Sequence, residues 1–396
     1  MKNRLVILQN PERFKGNHTI SKDKLNNAVE KACNKLASKI DLYLDGFPAT
    51  ASKDYKYPLG ENNNWVCGLH TGTFMLAYEL TGDKKFLDVA KHHMTSYKKR
   101  IDEKINLADH DVGFVFSPST VAYYKLTGDE EAKKISLDAA KHLYDTGYSQ
   151  KGGFILRSGP RADQSWACRT MMDSLLNAPL LFWAGKEFDI TDYTKAGLSQ
   201  SIITEKYLIR DDASTFHHYQ FEVGTHKPLH GLTLQGASND SCWSRGHAWG
   251  IYGLPIAYSY TGEKWLIDTH RDITYFMLNH LPDDNLPYWD YDFVSGDEAR
   301  DSSAGAINAC GLMEMIKYLP DESEDKEIFK NAASMMLESV IDNCTGDIGI
   351  EYDGLVHKVT GGKPQGMAVN ECCLYGDYYY LEALLRYIKP DWKMYW

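Results

Sequence analysis

Two aspartates draw attention because so little other charge surrounds them. Asp173 sits in Ser165-Trp-Ala-Cys-Arg-Thr-Met-Met-Asp-Ser-Leu-Leu-Asn-Ala-Pro-Leu-Leu-Phe-Trp-Ala-Gly185, a stretch whose only charged residues are Arg169 and Asp173. Read as a helix, it puts Arg169, Asp173 and Asn177 along one narrow face and apolar residues on the others. Such a helix is buried, and its single polar edge faces an interior cavity. Burial of a lone carboxylate raises its pKa, which makes Asp173 a candidate general acid; the competing reading is a structural Asp paired with Arg169. Asp111, in Asp109-His-Asp-Val-Gly-Phe-Val-Phe116, is a second carboxylate beside a nearly uncharged segment. Two such groups, one holding a proton because the other is charged, suit glycosidase-like acid and base work.

Other polar and aromatic residues gather around them. His217 and His218 are adjacent but sit in no metal-ligand pattern, so hydrogen bonding to a polar ligand is the better reading and no metal is expected. Trp65, after three asparagines, and Trp249 offer flat apolar faces with an edge N–H, as a sugar ring requires, although both residue types are also ordinary core. Arg245 is the only charge in 243–260. It is either salt-bridged to a buried Asp or free to clamp a substrate carboxylate.

Composition narrows the setting. The 396 residues are 43% hydrophobic and 24% charged, as in an ordinary globular chain. A net charge of -11 without any compensating basic block argues against nucleic acid. The opening apolar run is only Leu5 to Leu8, too short for a signal peptide, and no stretch approaches a membrane span. Eight cysteines without C-x-x-C spacing read as reduced thiols and argue against zinc. The expectation is a cytoplasmic protein.

The elements that must hold these residues follow from charge alternation. Charged amphipathic helices are predicted over 23–43, 84–99, 130–144, 191–204, 263–278 and 323–340. Nearly uncharged ones alternate with them over 67–80, 113–126, 165–185, 243–260, 302–318 and 369–387. Gly82, Gly128 and Gly262, each in a Tyr-x-x-Thr-Gly-acid turn, fit left-handed helix caps. Six hairpins, each hiding an apolar helix behind a charged one, bury their common face best by closing into a ring. The expected fold is therefore all-α, an (α/α)6 barrel of six inner and six outer helices in a single domain over 1–396. A small β-hairpin is expected in the longest loop, where Tyr219, Phe221 and Val223 alternate before Leu232 and Leu234. All long loops lie at one end, together with the inner-helix N-termini, and the site belongs there.

Several runs taken together resemble the unsaturated glucuronyl hydrolase family: Asp109-His-Asp-Val-Gly-Phe, Arg169-Thr-Met-Met-Asp-Ser-Leu-Leu-Asn-Ala-Pro-Leu-Leu, His230-Gly-Leu-Thr-Leu-Gln-Gly, Trp243-Ser-Arg-Gly-His-Ala-Trp-Gly and Tyr375-Gly-Asp-Tyr-Tyr-Tyr-Leu-Glu-Ala-Leu. The resemblance covers nearly the whole chain and implies the same barrel. It implies that Asp173 is the proton donor, Asp111 its partner, and Trp65, His217, Gly231, Thr233, Gln235, Arg245 and Trp249 the sugar-contacting positions. The implied substrates are unsaturated uronate-terminated disaccharides and short oligosaccharides from glycosaminoglycans, cleaved by hydration of the ring double bond without metal or organic cofactor. One departure concerns the loop before the last inner helix, where the serines of a sulfate-favouring Ser-x-x-Ser-x-Lys pattern are missing and Lys358, Thr360 and Lys363 remain. The alternatives are an unsaturated rhamnogalacturonyl hydrolase acting on pectin fragments and a non-catalytic glycan-binding toroid. The oligomeric state is left open.

Overall fold

The computed structural model describes Lys2 and residues 4–396; Met1 and Asn3, in the opening segment considered above as a leader, lie outside them. Among the described residues the protein is mostly helical, with three small sheets in its loops. Leaving aside the single turn Ile40–Tyr43 and counting 112–127 as one interrupted helix, twelve helices alternate as the charge pattern predicts. They run α1 (Lys22–Ala37), α2 (Cys67–Thr81), α3 (Lys84–Asp102), α4 (Val112–Phe116, a π turn at Ser117–Val121, then Ala122–Thr127), α5 (Glu130–His142), α6 (Ser174–Glu187), α7 (Thr191–Ile203), α8 (Ser244–Thr261), α9 (Trp265–Asn279), α10 (Ser302–Met315), α11 (Glu324–Cys344) and α12 (Leu374–Ile388). The even-numbered helices are buried on most sides, while the odd-numbered ones bury one stripe.

Contacts among the even-numbered helices go round in order, α2 to α4, α6, α8, α10 and α12, and α12 packs back on α2. Glycine sets the spacing. A Cβ on Gly68 would lie 2.2 Å from the Phe114 carbonyl oxygen, one on Gly113 2.3 Å from Asn177 Cα, and one on Gly311 2.5 Å from the Ile251 carbonyl oxygen. No side chain fits at such distances, so the helices approach almost backbone to backbone. The three cap glycines adopt φ of 73°, 73° and 67° and return their N–H groups to Tyr78, Tyr124 and Tyr258. Asp83 and Asp129 then cap the next helices through Lys85 and Ala132 N–H groups at 3.1 and 2.8 Å.

Two boundaries differ from expectation for the same reason: backbone that the apolar pattern extends into helix is hydrogen-bonded to another strand. The small sheets pair β1 (Phe47–Pro48) with β2 (Leu59–Gly60), β3 (Tyr148–Ser149) with β4 (Phe154–Ile155), and β5 (Arg169–Met171) with β6 (His218–Phe221), itself paired with β7 (Pro228–Leu232). β6 and β7 are the hairpin expected in the longest loop. β5 comes from the stretch read as helix, so Arg169 is not one turn before Asp173 on a shared face, and α6 starts only at Ser174. Likewise 369–370 form a turn, with Asn370 at φ 58°, and the backbone after it is bridged, Glu371 to Val359 and Cys373 to Ala51, so that α12 starts only at Leu374.

Candidate active site

At the long-loop end lies a cavity of about 380 Å³, lined by Trp65, Asp111, Asp173, His217, Gln235, Arg245 and Trp249 of the sequence-predicted set. Asp111 and Asp173 are the N-cap residues of α4 and α6. Neither side chain caps its own helix, so both point inward, 18% and 16% exposed. Gly113 lets α4 lie against Asn177 of α6. Asn177 fixes the register of the two helices: its Oδ1 accepts from Phe114 N–H at 3.0 Å, and its Nδ2 donates to Asp111 at 3.5 Å and to the Asp173 carbonyl at 3.2 Å. The sheet brings in the rest. Met172 N–H donates to the His217 carbonyl at 2.9 Å, seating His217 beside Asp173, and β7 runs on to Gln235, whose Nε2 donates to the Gly361 carbonyl at 2.9 Å.

His110 joins the two carboxylates. Its Nε2 lies 3.1 Å from Asp173 Oδ1 and 3.3 Å from Asp111 Oδ1, while its Nδ1 meets Asp109, which is held in turn by Arg157. Burial alone would lower the imidazole pKa, but Asp111 and Asp173 push it up to about 9. Burial pushes Asp111 up to about 6, with His110 opposing and Asp173 adding to the rise. Burial acts in the same direction on Asp173, yet His110 above all, with Arg157 behind it, outweighs it and holds this carboxyl below its ordinary value. The expectation that Asp173 holds the raised pKa is thus corrected. A cation sits between the acids, and the raised carboxyl is Asp111.

The wall of the cavity is a run of flat faces. Trp65 stacks on Tyr375 with centroids 5.6 Å apart; Arg245 lies 4.4 Å from the Tyr375 ring and 4.6 Å from the Trp243 ring; and Trp243 meets His217 at 4.6 Å. Burial lowers the His217 pKa to about 4, so the ring is neutral, and among the described residues its Nδ1 has no hydrogen-bond partner. Arg245 is no free clamp. It donates to Asp301 at 2.5 Å and to the carbonyls of Thr360 and Gly361 at 2.8 and 2.6 Å. Of the two readings left open by the sequence, the buried salt bridge is the one formed, although the guanidinium still lines the cavity.

Gly231 and Thr233 are not among the lining residues. Gly231 packs on Phe216, where a Cβ would come within 2.3 Å of the ring, and Thr233 is buried beside Ser241. Arg169 makes no ion pair with Asp173; its guanidinium lies 3.4 Å from His218 Nε2 instead. Thr360 donates to the Arg300 carbonyl and Lys363 pairs with Glu298. Sequence reasoning missed His110, Arg157 and Tyr375. Two were legible in part, His110 lying inside the Asp-His-Asp run and Tyr375 heading α12, but no local pattern marks Arg157, which a loop delivers. Asp109, His110 and Asp111 bring three ligand-type atoms within 4.8 Å of one another, but Asp109 already pairs with Arg157, so a metal there would compete with a guanidinium.

Paired carboxylates beside a wall of tryptophan and tyrosine, at one end of a helical ring, define a carbohydrate-cleaving enzyme. Residues 39–387 match Glycosyl Hydrolase Family 88, and the chain belongs to that family. It is 39% identical over 391 residues to an unsaturated chondroitin disaccharide hydrolase of Streptococcus pneumoniae, covering 98% of each chain. Among solved structures it is similar to the unsaturated glucuronyl hydrolase of Streptococcus agalactiae, with a TM-score of 0.95, 37% identity and full coverage of both chains. It is also similar, with a TM-score of 0.88, 35% identity and full coverage of both chains, to an aspartate-to-asparagine mutant of that enzyme complexed with dGlcA-GalNAc6S.

Proposed function

We propose that this protein is an unsaturated glucuronyl hydrolase that removes the terminal 4,5-unsaturated uronate from glycosaminoglycan disaccharides and short oligosaccharides by hydrating the ring double bond. The twelve helices then form the (α/α)6 barrel of this enzyme class. The observation that carries the reading is the bridge from Asp173 through His110 to Asp111 on the floor of an aromatic-walled cavity.

The chemistry follows from the charges. An imidazole and two carboxylates share their protons, and the entering uronate adds another negative charge while displacing water, which favours the neutral form of a carboxyl. Asp173 then gives its proton to carbon 4, leaving an oxocarbenium ion at carbon 5. Water adds at carbon 5 and returns a proton to the carboxylates, and the resulting hemiketal opens and releases the neighbouring sugar. Asp111 steadies the positive charge and keeps the proton within the pair. Trp65, Trp243, Trp249 and Tyr375 provide the seat for the ring, and His217 Nδ1 and Gln235 offer polar contacts. Arg245 contributes a fixed cationic wall, and Gly231 and Thr233 act only by shaping the strand that delivers Gln235.

Eight buried free thiols support a reducing compartment, and we place the enzyme in the cytoplasm on that basis. Cell fractionation checks the compartment. Turnover of an unsaturated chondroitin disaccharide in heavy water tests the route, because hydration in the bound state sets deuterium on one face of carbon 4. A label on both faces, or methanol trapped only at carbon 1 and never at carbon 5, would refute hydration.

A further inference from the structure

The barrel has a second cavity, about 540 Å³, at the short-turn end, and Trp396, which lines it, touches Phe114, which lines the sugar seat. The segment after α12 folds back across that end and is stitched to four inner helices and to the turn that follows a fifth. Trp392 Nε1 and the Tyr395 hydroxyl donate to Glu79 of α2 at 2.8 and 3.0 Å. Lys125 of α4 donates to the carbonyls of Met394, Tyr395 and Trp396 at 3.3, 2.8 and 3.1 Å, and Tyr260 of α8 to that of Trp396 at 3.0 Å. Lys317, just past α10, reaches the Trp392 carbonyl at 2.8 Å, and Trp396 Nε1 donates to Glu382 of α12 at 3.3 Å. The indole of Trp396, 1% exposed, is thereby driven up the barrel. It stacks on Tyr379 at 6.2 Å and meets Phe114 edge-on at 5.8 Å. Phe114 and Trp249, 5.3 Å apart, line the sugar cavity, and Trp65 rests on Phe114 at 5.3 Å.

We propose that Trp396 is a positioning residue for the reaction: its indole is the backstop under Phe114, the ring on which Trp65 and Trp249 lean, and so sets the floor height of the uronate seat. The proposal rests on the reading of that cavity as the seat. Aromatic rings hold position only where other atoms fill the space behind them. Without the indole, Phe114 borders the 540 Å³ cavity and can drop towards it, taking with it the surface on which Trp65 rests. A floor that yields weakens ground state and transition state alike, a loss expressed in KM rather than kcat.

The test is steady-state kinetics on the unsaturated chondroitin disaccharide, read by loss of the ultraviolet absorbance of its double bond, with thermal melting in parallel. Trp396→Ala is expected to raise KM by about fivefold or more with kcat within about threefold of wild type, and Trp396→Phe, which keeps a ring against Phe114, to restore KM to within about twofold. Phe329→Ala, in α11 and in ring contact with His270 and Tyr275, removes a buried ring away from the floor and should lower the melting temperature without moving KM. If Trp396→Ala does not fold, Trp396→Leu, which refills part of the space without a ring, carries the same comparison. A KM within about twofold of wild type in the folded Ala or Leu variant, or an equal rise in Phe329→Ala, overturns the proposal. A wild-type enzyme without turnover on this disaccharide would instead overturn the functional reading and the proposal built on it.

Discussion

Gly113→Ala tests the geometry sharply, because it adds one methyl group between the two carboxylate-bearing helices and alters no charge. The new Cβ would lie 2.3 Å from Asn177 Cα and 2.5 Å from the Asn177 carbonyl oxygen. Ordinary carbon contacts begin near 3.5 Å, so α4 and α6 must separate by roughly 1 Å. Neither neighbour can yield on its own, since the obstructing atoms are backbone. The separation acts directly on the Asn177 bond to Phe114 N–H at 3.0 Å and on the bridge Asp111–His110–Asp173, whose legs are 3.3 and 3.1 Å. A misplacement of about 1 Å at a reacting group can cost about a hundredfold in rate, and overpacking costs about 1 to 3 kcal/mol of stability. Gly113→Ala should therefore melt a few degrees lower, remain folded by circular dichroism, and lose about two orders of magnitude in kcat. Turnover within about threefold of wild type in a folded variant would show that the helix spacing does not set the carboxylate geometry.

Asp173→Asn should fold and lose at least about a hundredfold in kcat, the usual scale of a positioned proton transfer, and retention of a tenth of wild-type activity would sink its role as donor. Asp111→Asn removes a like charge and should move the basic limb of the kcat profile to lower pH in whatever activity remains; an unmoved limb would mean the two acids are not coupled. Arg245→Ala leaves Asp301 buried without its partner and should destabilise the fold by about 3 to 5 kcal/mol, which a denaturant titration would read. Arg245→Ala/Asp301→Asn should recover part of that loss, and a double variant no more stable than the single one would count against the pairing. His110 has a folded pKa raised from 6.5 to about 9, so its contribution to stability is full below pH 6.5 and disappears as pH rises towards 9. Its ceiling is about 3 kcal/mol. Wild type should lose stability across that window and His110→Gln should not, so parallel curves would exclude the linkage.

The alternation of charged and uncharged helices was legible because burial on all sides leaves a compositional mark that survives without knowledge of partners. The cap glycines were legible because a left-handed turn nearly requires that residue. Misread stretches were of another kind. Nothing within Arg169–Met171 distinguishes a strand from the first turn of a helix, since the deciding partner, β6, lies some fifty residues later. The same distance hid the state of Arg245, whose partner Asp301 stands at the head of another inner helix. Asp173 shows the limit most directly. Its apolar neighbourhood predicts a rise in pKa and burial does push that way, but the sign is decided by a histidine sixty-three residues earlier in the chain.

The π turn at Ser117–Val121 divides α4 into two parts with independent phase. Five residues close a ring where four normally do, with Pro118 contributing no N–H and Ser119 donating back to the Val115 carbonyl at 2.5 Å. Each residue of an α-helix turns the chain by about 100°. Deleting one residue from this turn would restore a regular helix and swing Asp111 and Phe114 by about that angle away from the cavity, while Tyr123 and Tyr124 kept their places among the scaffold helices. The π turn thus sets the phase at which the tightly packed catalytic end of α4 presents Asp111 and Phe114 to the cavity. A one-residue deletion here would therefore move Asp111 and at the same time turn the buried faces of Phe114, Val115 and Phe116 out of register with α2 and α6.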